Sequence, residues 1–332
     1  MPVKISIVIP LYNKEHEIKR TLNSILAQTF QNFEIIVVDD QSNDGGPDIV
    51  KSFNDPRISF IEQEHRGVSY TRNHGVNLAS CEYIAFLDAD DEWMPKHLET
   101  ILRLVERYSD AGMYTTAWKR HTNSGEIKWA NYQCIPNHPW EGILPDYFKS
   151  AAFGDSPVNA SSVVIPRKIF QDLAGFNEGY WYGEDTDLFG RIALRYPVAF
   201  SWELGAIIHE DALNRACDRR IPLDYPEPFV KTARIALMKG EVPQDLKTSL
   251  NEFICDSEIL RAIRNVRAGH SGTAQTILKQ CKMKWHIYDK MKWSLVAKLP
   301  YPLFLFIWDI KRRLIKIVQK FQNSIGVLEE QH

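Results

Sequence analysis

The first hundred residues alternate between short apolar runs rich in β-branched side chains and segments whose apolar positions recur every three or four residues. The first pattern predicts buried strands and the second predicts amphipathic helices. Strands alternating with helices imply a mostly parallel sheet covered on both faces, so this region is predicted to be α/β. The predicted strands are 4–10, 34–39, 57–61 and 83–87, and the predicted helices are 14–28, 46–53, 67–79 and 95–107.

The alternation weakens after residue 111, and beyond Pro222 the pattern becomes helical. We therefore predict one domain with two halves, 1–110 and 111–222, followed by a helical C-terminal region, 223–332. The clearest elements after residue 111 are strands at 113–118 and 161–165 and helices at 184–195, 229–239, 244–268, 271–282 and 302–322.

Carboxylates cluster where the fourth predicted strand ends, in the run Asp88-Ala89-Asp90-Asp91. Polar residues also follow the first two strands, at Pro10–Asn13 and Asp39–Asp44. Parallel sheets bind their ligands at the carboxyl ends of the strands, so these segments are expected to meet at one site. Carboxylate oxygens suit a divalent cation. A solvated acidic turn is the alternative interpretation of the cluster.

Composition narrows the class of protein. The net charge of −2 gives no reason to expect nucleic acid as a partner. Five scattered cysteines without a C-x-x-C pair argue against a zinc cluster or a disulfide framework and fit a reducing compartment. Residues 1–30 lack a signal-peptide pattern and no run of about 18 apolar residues occurs, so a cytoplasmic location is expected. Neither G-x-G-x-x-G nor G-K-[ST] follows the first strand, which argues against dehydrogenases and P-loop enzymes.

Several short motifs follow one another over about residues 3–215. They are Val8–Asn13, Ser24–Thr29, Phe33–Asp44, Gly67–Asn73, Tyr83–Pro95 and Gly183–Asp185. In their order and spacing the sequence resembles the family-2 glycosyltransferases, which are inverting enzymes. The resemblance implies the GT-A fold, a Rossmann-like, mostly parallel sheet covered by helices, here with a C-terminal helical extension.

The resemblance also assigns roles in binding a nucleotide-sugar donor to residues of the first half. Tyr12 would stack on the base, and Asp40 would accept the N3–H of uracil. Asp39 is less favoured as that partner because it could instead hold the loop. Arg72 would pair with the diphosphate, although an exposed helix position is the alternative. The donor-binding residues implied are Pro10, Tyr12, Asp39, Asp40, Arg72 and Asp88.

A Mg²⁺ or Mn²⁺ ion is implied at the acidic run. Asp90 would be the direct ligand and Asp88 its support, while Asp91 is expected to cap the helix after Trp93. His209 is a further candidate for contact with the metal or the diphosphate, with a purely structural histidine as the alternative.

Asp185 is the residue that the resemblance implies as the catalytic base, because inversion needs one base opposite the leaving group. Asp187 is the second choice, and a favourable charge at the start of a helix is the alternative role for Asp185. Trp181, Tyr182 and Glu184 are the candidate acceptor-binding residues. Aromatic faces suit the C–H surfaces of sugars, whereas core packing is the alternative for the two rings.

The C-terminal region carries an apolar, aromatic run at 299–308 followed by basic residues. Between Lys284 and Lys320, nine Lys or Arg residues face two acids, a local net charge of +7. Segment 299–320 therefore suits an anionic membrane surface, which would make the protein peripheral on the inner face of the cell membrane. A helix packed on the domain with a solvated basic face is the alternative.

Taken together, these features predict a metal-dependent inverting glycosyltransferase. It would move a sugar from a nucleotide-diphosphate donor, a UDP-sugar by preference, to a hydroxyl of a glycan or lipid-linked acceptor, as in bacterial surface polysaccharide assembly. A non-catalytic relative that binds sugar nucleotides or glycans is the alternative. The sequence predicts no particular oligomeric state.

Overall fold

The structure is a computed structural model that describes residues 4–215, 221–223, 225, 227–281 and 287–306. The chain divides into two compact units, Met1–Phe253 and Ile254–His332. The divisions predicted at residues 110 and 222 remain predictions.

Within the described residues, one sheet of the first unit contains ten strands: β1 (Ile5–Leu11), β2 (Phe33–Asp39), β3 (Ile58–Glu62), β4 (Tyr83–Phe86), β5 (Glu92–Trp93), β6 (Met113–His121), β7 (Ile127–Trp129), β8 (Glu141–Ile143), β9 (Val163–Pro166) and β10 (Val198–His209). The order is β3-β2-β1-β4-β9-β6-β10-β5, with β7 on β6 and β8 on β10. Strands β3, β2, β1 and β4 are parallel neighbours, and so are β6 and β10. Strand β9 is antiparallel to both β4 and β6 and joins the two parallel parts.

The helices of the first unit are α1 (Ile18–Leu26), α2 (Gly46–Lys51), α3 (Val68–Leu78), α4 (His97–Arg107), α5 (Tyr147–Phe153), α6 (Arg167–Asp172), α7 (Glu184–Ala193) and α8 (Pro228–Lys239). The first four confirm the predicted helices, although α1 begins later because residues 15–17 form a turn. Helices α5 and α6 and strands β5, β7 and β8 were not predicted, since each is too short to show a clear period. Most of β10 was also missed.

Helices cover both faces of the sheet, and the side chains of β1 point alternately toward one face and the other. Ile5, Ile7 and Ile9 are fully buried in a core that also contains Leu22 and Ile25 of α1. Val8 faces the other way, toward Gly75 of α3. Because side chains alternate along a strand, one buried strand supplies apolar contacts to a helix on each side. This arrangement brings the carboxyl ends of β1, β2 and β4 to one edge.

The second unit has its own apolar core. The helix α9 (Lys247–Arg267) leads into α10 (Ser271–Gln280), and α11 (Ile287–Val296) follows. Residues of this core include Ile259, Ala274, Leu278 and Ala297. Across the described helices, none combines the length and the apolar character that crossing a bilayer requires. Most of the predicted helix 302–322 and most of the basic segment 299–320 lie outside the described residues, and the part of the helix that is described, 302–306, is helical.

Close contact between α3 and β1 requires glycine at position 75. A Cβ built at Gly75 would lie 2.4 Å from Cγ1 of Val8. We predict that Gly75→Ala lowers the free energy of unfolding by about 1–3 kcal/mol, because the helix must shift away from the sheet. Urea denaturation followed by circular dichroism measures this. The exposed Asn77 on the same helix supplies the control: Asn77→Ala should change the value by less than about 0.5 kcal/mol, and equal effects of the two variants would contradict the predicted overpacking.

Candidate active site

A cleft of about 790 Å³ opens at the carboxyl ends of β1, β2 and β4 and reaches the start of α7. A parallel sheet of this kind is expected to bind its ligands there. With the exceptions of Asp39, His209 and the second-choice base Asp187, the predicted site residues all line this cleft: Pro10, Tyr12, Asp40, Arg72, Asp88, Asp90, Trp181, Tyr182, Glu184 and Asp185. The structure therefore brings together side chains that are up to 175 positions apart in the sequence, from Pro10 to Asp185.

One wall of the cleft is built around Asp40. Its Oδ1 accepts a hydrogen bond from the backbone N–H of Arg66 at 2.8 Å, and its Oδ2 accepts from that of Gly67 at 2.9 Å. Gly67 has a φ of 86°, a left-handed conformation that glycine adopts at little cost. The turn carries His65, whose ring lies against that of Tyr12 with centroids 4.6 Å apart. Asp40 thus fixes an aromatic wall beside the end of β1.

Asp39 has a different environment. It is buried, and its Oδ2 accepts from the backbone N–H of Ser42 at 3.1 Å. Burial is the main cause that raises the pKa of Asp39 above its usual range. Its contact is to the loop after β2 rather than to the cleft, which is consistent with the loop-holding role weighed for it.

Arg72 of α3 is buried between two carboxylates. Its Nη2 lies 2.6 Å from Oδ1 of Asp88, after β4, and its Nη1 lies 2.8 Å from Oε1 of Glu184, at the start of α7. Burial opposes the charged guanidinium, but Asp88 and Glu184 outweigh it and raise the pKa of Arg72. The three side chains connect three elements across the floor of the cleft. Arg72 is therefore not the exposed helix residue of the alternative interpretation.

A side chain of helix α1 binds the backbone of the acidic turn 88–91. The hydroxyl of Thr21 donates to the carbonyl oxygens of Ala89 at 2.9 Å and Asp91 at 2.7 Å. The Asp91 side chain is buried, where Oδ2 accepts from Ser161 Oγ at 2.5 Å and Oδ1 from the backbone N–H of His209 at 2.8 Å. Asp91 therefore ties the turn to β10. Helix α4 begins after Lys96 without a side-chain cap, so the expectation that Asp91 caps it was wrong.

The remaining carboxylates of the turn face the cleft. Asp90 forms an ion pair with Lys14, with 2.6 Å between Nζ and Oδ2, and both side chains are nearly buried. Burial is the leading cause that raises the pKa of Asp90, and the Lys14 ammonium opposes it. Burial is also the largest cause that raises the pKa of Asp91 well above its usual range, and the negative charges of Asp90 and Asp88 add to it.

The donor set of Asp88 and Asp90 fits a hard divalent cation. Each carboxylate uses one oxygen for its contact with a protein cation, and a carboxylate offers about four lone-pair positions on two oxygens. Oxygen ligands of this kind suit Mg²⁺ and Mn²⁺.

His209, the third predicted metal ligand, does not lie in the cleft with Asp88 and Asp90. Its Nδ1 lies 3.2 Å from Oδ1 of Asp211 and its Nε2 lies 3.2 Å from Oε1 of Glu92. Its ring stacks on that of His121, which also contacts Asp211, at 3.0 Å. Among the described residues, His121, His209 and Asp211 form the one group of three ligand atoms close enough to share an ion. The predicted contact of His209 with a donor-bound metal remains a prediction.

The two candidate bases of α7 occupy different surroundings. Asp185 lines the cleft in the first turn of the helix, where its Oδ1 accepts from the backbone N–H of Thr186 at 2.7 Å. Asp187 is buried and contacts Nε of Arg191 at 2.9 Å and Oγ1 of Thr232 at 2.7 Å. Its contacts join α7 to α8, so Asp185 is the better placed of the two.

Aromatic rings border the cleft before α7. The Trp181 ring lies 5.5 Å from that of Tyr225, whose hydroxyl also reaches the carbonyl oxygen of Tyr182 at 3.3 Å. Ser69 of α3 donates to the carbonyl of Tyr180 at 2.9 Å and holds this segment to the first half. Trp181 and Tyr182 are half-buried, so their rings keep exposed surface for a ligand. Glu184 is buried and directed to Arg72.

Two of the cleft residues that were missed in the sequence contact predicted site residues. Lys14 and His65 lie beside the predicted motifs rather than within a recognisable one, and neither had been singled out. Lys14 follows the first strand directly after Asn13, so its position at a strand end was the available signal. His65 carries no such signal, because its place depends on how Asp40 folds the turn.

The comparison with known families agrees with the geometry. Residues 6–170 match the profile of glycosyl transferase family 2, and through this region the chain belongs to that family. Glycosyltransferase GlyA of Streptococcus pneumoniae is 41% identical over 107 residues, which are 32% of this chain and 15% of that protein. The Escherichia coli UDP-Glc:α-D-GlcNAc-diphosphoundecaprenol β-1,3-glucosyltransferase WfgD is 38% identical over 111 residues, which are 33% of this chain and 44% of that protein. The chain thus spans less than half the length of either relative.

Solved structures match over a longer range. The crystal structure of Staphylococcus aureus TarS residues 1–349, in complex with UDP-GlcNAc, superposes with a TM-score of 0.69. The alignment covers 89% of this chain and 90% of that one at 16% sequence identity. At that identity the likeness concerns the fold, which is the GT-A fold with C-terminal helices, as the sequence predicted.

Glu184 makes the stability of the protein depend on pH. Burial, followed by the nearby Asp185 charge, raises the pKa of Glu184 to about 7 despite the opposing effect of Arg72. Between about pH 4.5 and 7 the folded protein therefore binds a proton at Glu184 that the unfolded chain does not. The stabilisation from this group is present at low pH and is lost as the pH rises through that window.

From pH 4.5 to pH 8, we expect the free energy of unfolding to fall in the wild type. This fall should exceed the corresponding change in Glu184→Gln by about 1–3 kcal/mol. The glutamine keeps an oxygen for Arg72 but does not titrate. Urea denaturation at a series of pH values measures the difference, with Glu106→Gln on the exposed side of α4 as the control that should follow the wild type. Identical pH profiles for Glu184→Gln and wild type would contradict the raised pKa.

Proposed function

We propose that the protein is a metal-dependent inverting glycosyltransferase that uses a nucleotide-diphosphate sugar. The observation that carries the proposal is that one cleft contains the aromatic wall at Tyr12, the acidic turn at Asp88 and Asp90, and the carboxylate of Asp185. The reaction needs three parts of this kind: a surface that binds the nucleotide base, oxygen ligands near the diphosphate, and a catalytic base that accepts the proton of the acceptor hydroxyl. Membership of the family through residues 6–170 supports the same reaction class.

Each residue has a defined task in this mechanism. Tyr12 and His65 offer ring faces to the nucleotide base, and Arg72 contributes positive charge at the floor of the cleft. Asp88 and Asp90 would hold the Mg²⁺ or Mn²⁺ ion, which as a Lewis acid supplies charge stabilisation for the departing nucleoside diphosphate. Asp185 would take the proton of the acceptor hydroxyl as that oxygen attacks the anomeric carbon and the bond from that carbon to the diphosphate breaks.

A UDP-sugar is the donor we favour, with a glycan or lipid-linked glycan as the acceptor. Support comes from relatives: the name of WfgD specifies UDP-glucose and a diphosphoundecaprenol-linked acceptor, and the TarS structures contain UDP-GlcNAc or UDP. The half-buried rings of Trp181 and Tyr182 next to Asp185 suit the apolar face of an acceptor sugar. A role in bacterial surface polysaccharide assembly is consistent with such an acceptor.

The base assignment predicts a separation of binding from catalysis. Asp185→Asn should lower transfer from a UDP-sugar by about 10²- to 10⁴-fold, because the amide cannot accept the hydroxyl proton. Donor affinity, measured by isothermal titration calorimetry, should stay close to that of the wild type. Asp172→Asn, an exposed change at the end of α6, is the matched control and should leave transfer unaffected. Undiminished transfer by Asp185→Asn would remove Asp185 as the base, and a wild type that binds UDP-sugars without transferring them would favour a non-catalytic binding protein.

The metal assignment predicts a loss of cation-dependent binding. Asp90→Asn should abolish the increase in UDP affinity that Mn²⁺ produces in the wild type, because an amide oxygen lacks the charge that a divalent cation favours. Thermal-shift titration with UDP, with and without Mn²⁺, measures it, since a bound ligand raises the apparent stability. A variant that retained the full Mn²⁺ effect would contradict the assignment of Asp90.

A further inference from the structure

Lys14 is the cleft residue whose position the proposed mechanism leaves unexplained. It follows the end of β1, and only about a tenth of its side chain is exposed. Its ammonium contacts Oδ2 of Asp90 at 2.6 Å and also donates to the backbone carbonyl of Leu213. A nearly buried lysine of this kind must be held by its partners, since burial disfavours an ammonium. Lys14 thus forms a specific contact with the carboxylate assigned to the divalent cation.

The same contact fixes a neighbouring segment of the cleft. The backbone N–H of Leu213 donates to Oε1 of Glu17 at 3.3 Å, while its carbonyl accepts from Lys14. The backbone N–H and the carbonyl of Leu213 are therefore both bound by side chains of the segment that follows β1. Asn214 and Arg215, the next two residues, line the cleft. Lys14 consequently connects the acidic turn to a segment that borders the ligand.

Two of the protein cations that line the cleft, Arg72 and Lys14, are held to different degrees. Arg72 lies between two carboxylates, Asp88 and Glu184, and its planar guanidinium contacts both. Lys14 forms an ion pair with one carboxylate, that of Asp90, and its other contact is with the uncharged backbone carbonyl of Leu213. An ammonium on a flexible stem is a point charge that can move more readily than a guanidinium held on two sides. Of these two cations, Lys14 is the one that can leave its carboxylate.

We propose that Lys14 and the divalent cation compete for Asp90, so that cation binding displaces the ammonium from the carboxylate. This inference rests on the proposed function. A divalent ion on Asp90 would lie a few ångströms from the ammonium in a partly buried site, where like charges repel strongly. The displaced ammonium stays within the cleft, where its positive charge can turn toward the diphosphate. Lys14 is thus a positioning residue that weakens cation binding and couples it to the segment at Leu213.

The test measures cation binding directly rather than activity. Full-length protein is stripped with a chelator, saturated with UDP, and titrated with Mn²⁺ while electron paramagnetic resonance reports the free ion. Removing the competing charge in Lys14→Met should lower the apparent Kd for Mn²⁺ by about tenfold. Lys19→Met, which removes the same charge from the exposed face of α1, is the matched control and should bind like the wild type.

A second variant guards against a folding defect, because Lys14→Met leaves Asp90 without its partner. Lys14→Gln removes the charge but can still donate to Asp90 and to the Leu213 carbonyl, and it should also bind Mn²⁺ more tightly. If the folded neutral variants bind Mn²⁺ no more tightly than the wild type, the competition is refuted while the proposed function stands. If the wild type itself binds no Mn²⁺, the proposed metal dependence fails, and the inference fails with it.

Discussion

The contacts of the buried Arg72 guanidinium with Asp88 and Glu184 are the interaction on which the cleft depends. It joins the end of β4, the middle of α3 and the start of α7 through contacts of 2.6 and 2.8 Å. Because the guanidinium is buried, removing its carboxylate partners would leave its charge uncompensated, at a cost of about 3–5 kcal/mol. Helix α3 and strand β4 are consecutive in the chain, whereas Glu184 on α7 lies 112 positions from Arg72, and the guanidinium fixes all three elements at hydrogen-bonding distance. The positions of the acidic turn and of Asp185 both follow from this constraint.

Around this guanidinium, the cleft alternates protein cations and carboxylates. Lys14 contacts Asp90, Arg72 contacts Asp88 and Glu184, and Asp91 is satisfied by neutral donors instead. This arrangement explains how so many carboxylates can share one half-buried site. It also separates their tasks: Asp91 holds β10 to the turn, whereas Asp88 and Asp90 keep oxygens at the cleft. Under the proposed function, the protein would thus hold these oxygens in place before a cation or a phosphorylated ligand binds.

Much of this architecture could be predicted because it rests on local patterns. The buried strands β1, β2 and β4 and the helices α3 and α4 have clear periods, and their order implies where the strand ends meet. Local pattern failed for α5, α6 and the short strands β7 and β8, where too few residues define a period. It also failed for Asp91, because a carboxylate before a helix resembles a cap, while its actual partners, Ser161 and the His209 N–H, come from segments distant in sequence.

The sequence by itself determined the α/β class and the ends of the strands that carry the acidic turn, because hydrophobic period is encoded locally. The motifs and the predicted residues that line the cleft came from the resemblance to a family. Only the tertiary structure decided how those residues are paired. Arg72 became a buried bridge, Asp40 became the support of a turn, and the His209 ring joined His121 and Asp211. The physical reason is that the strength of a charge or hydrogen bond depends on distance and burial. Folding brings these partners together from segments that have no local relation.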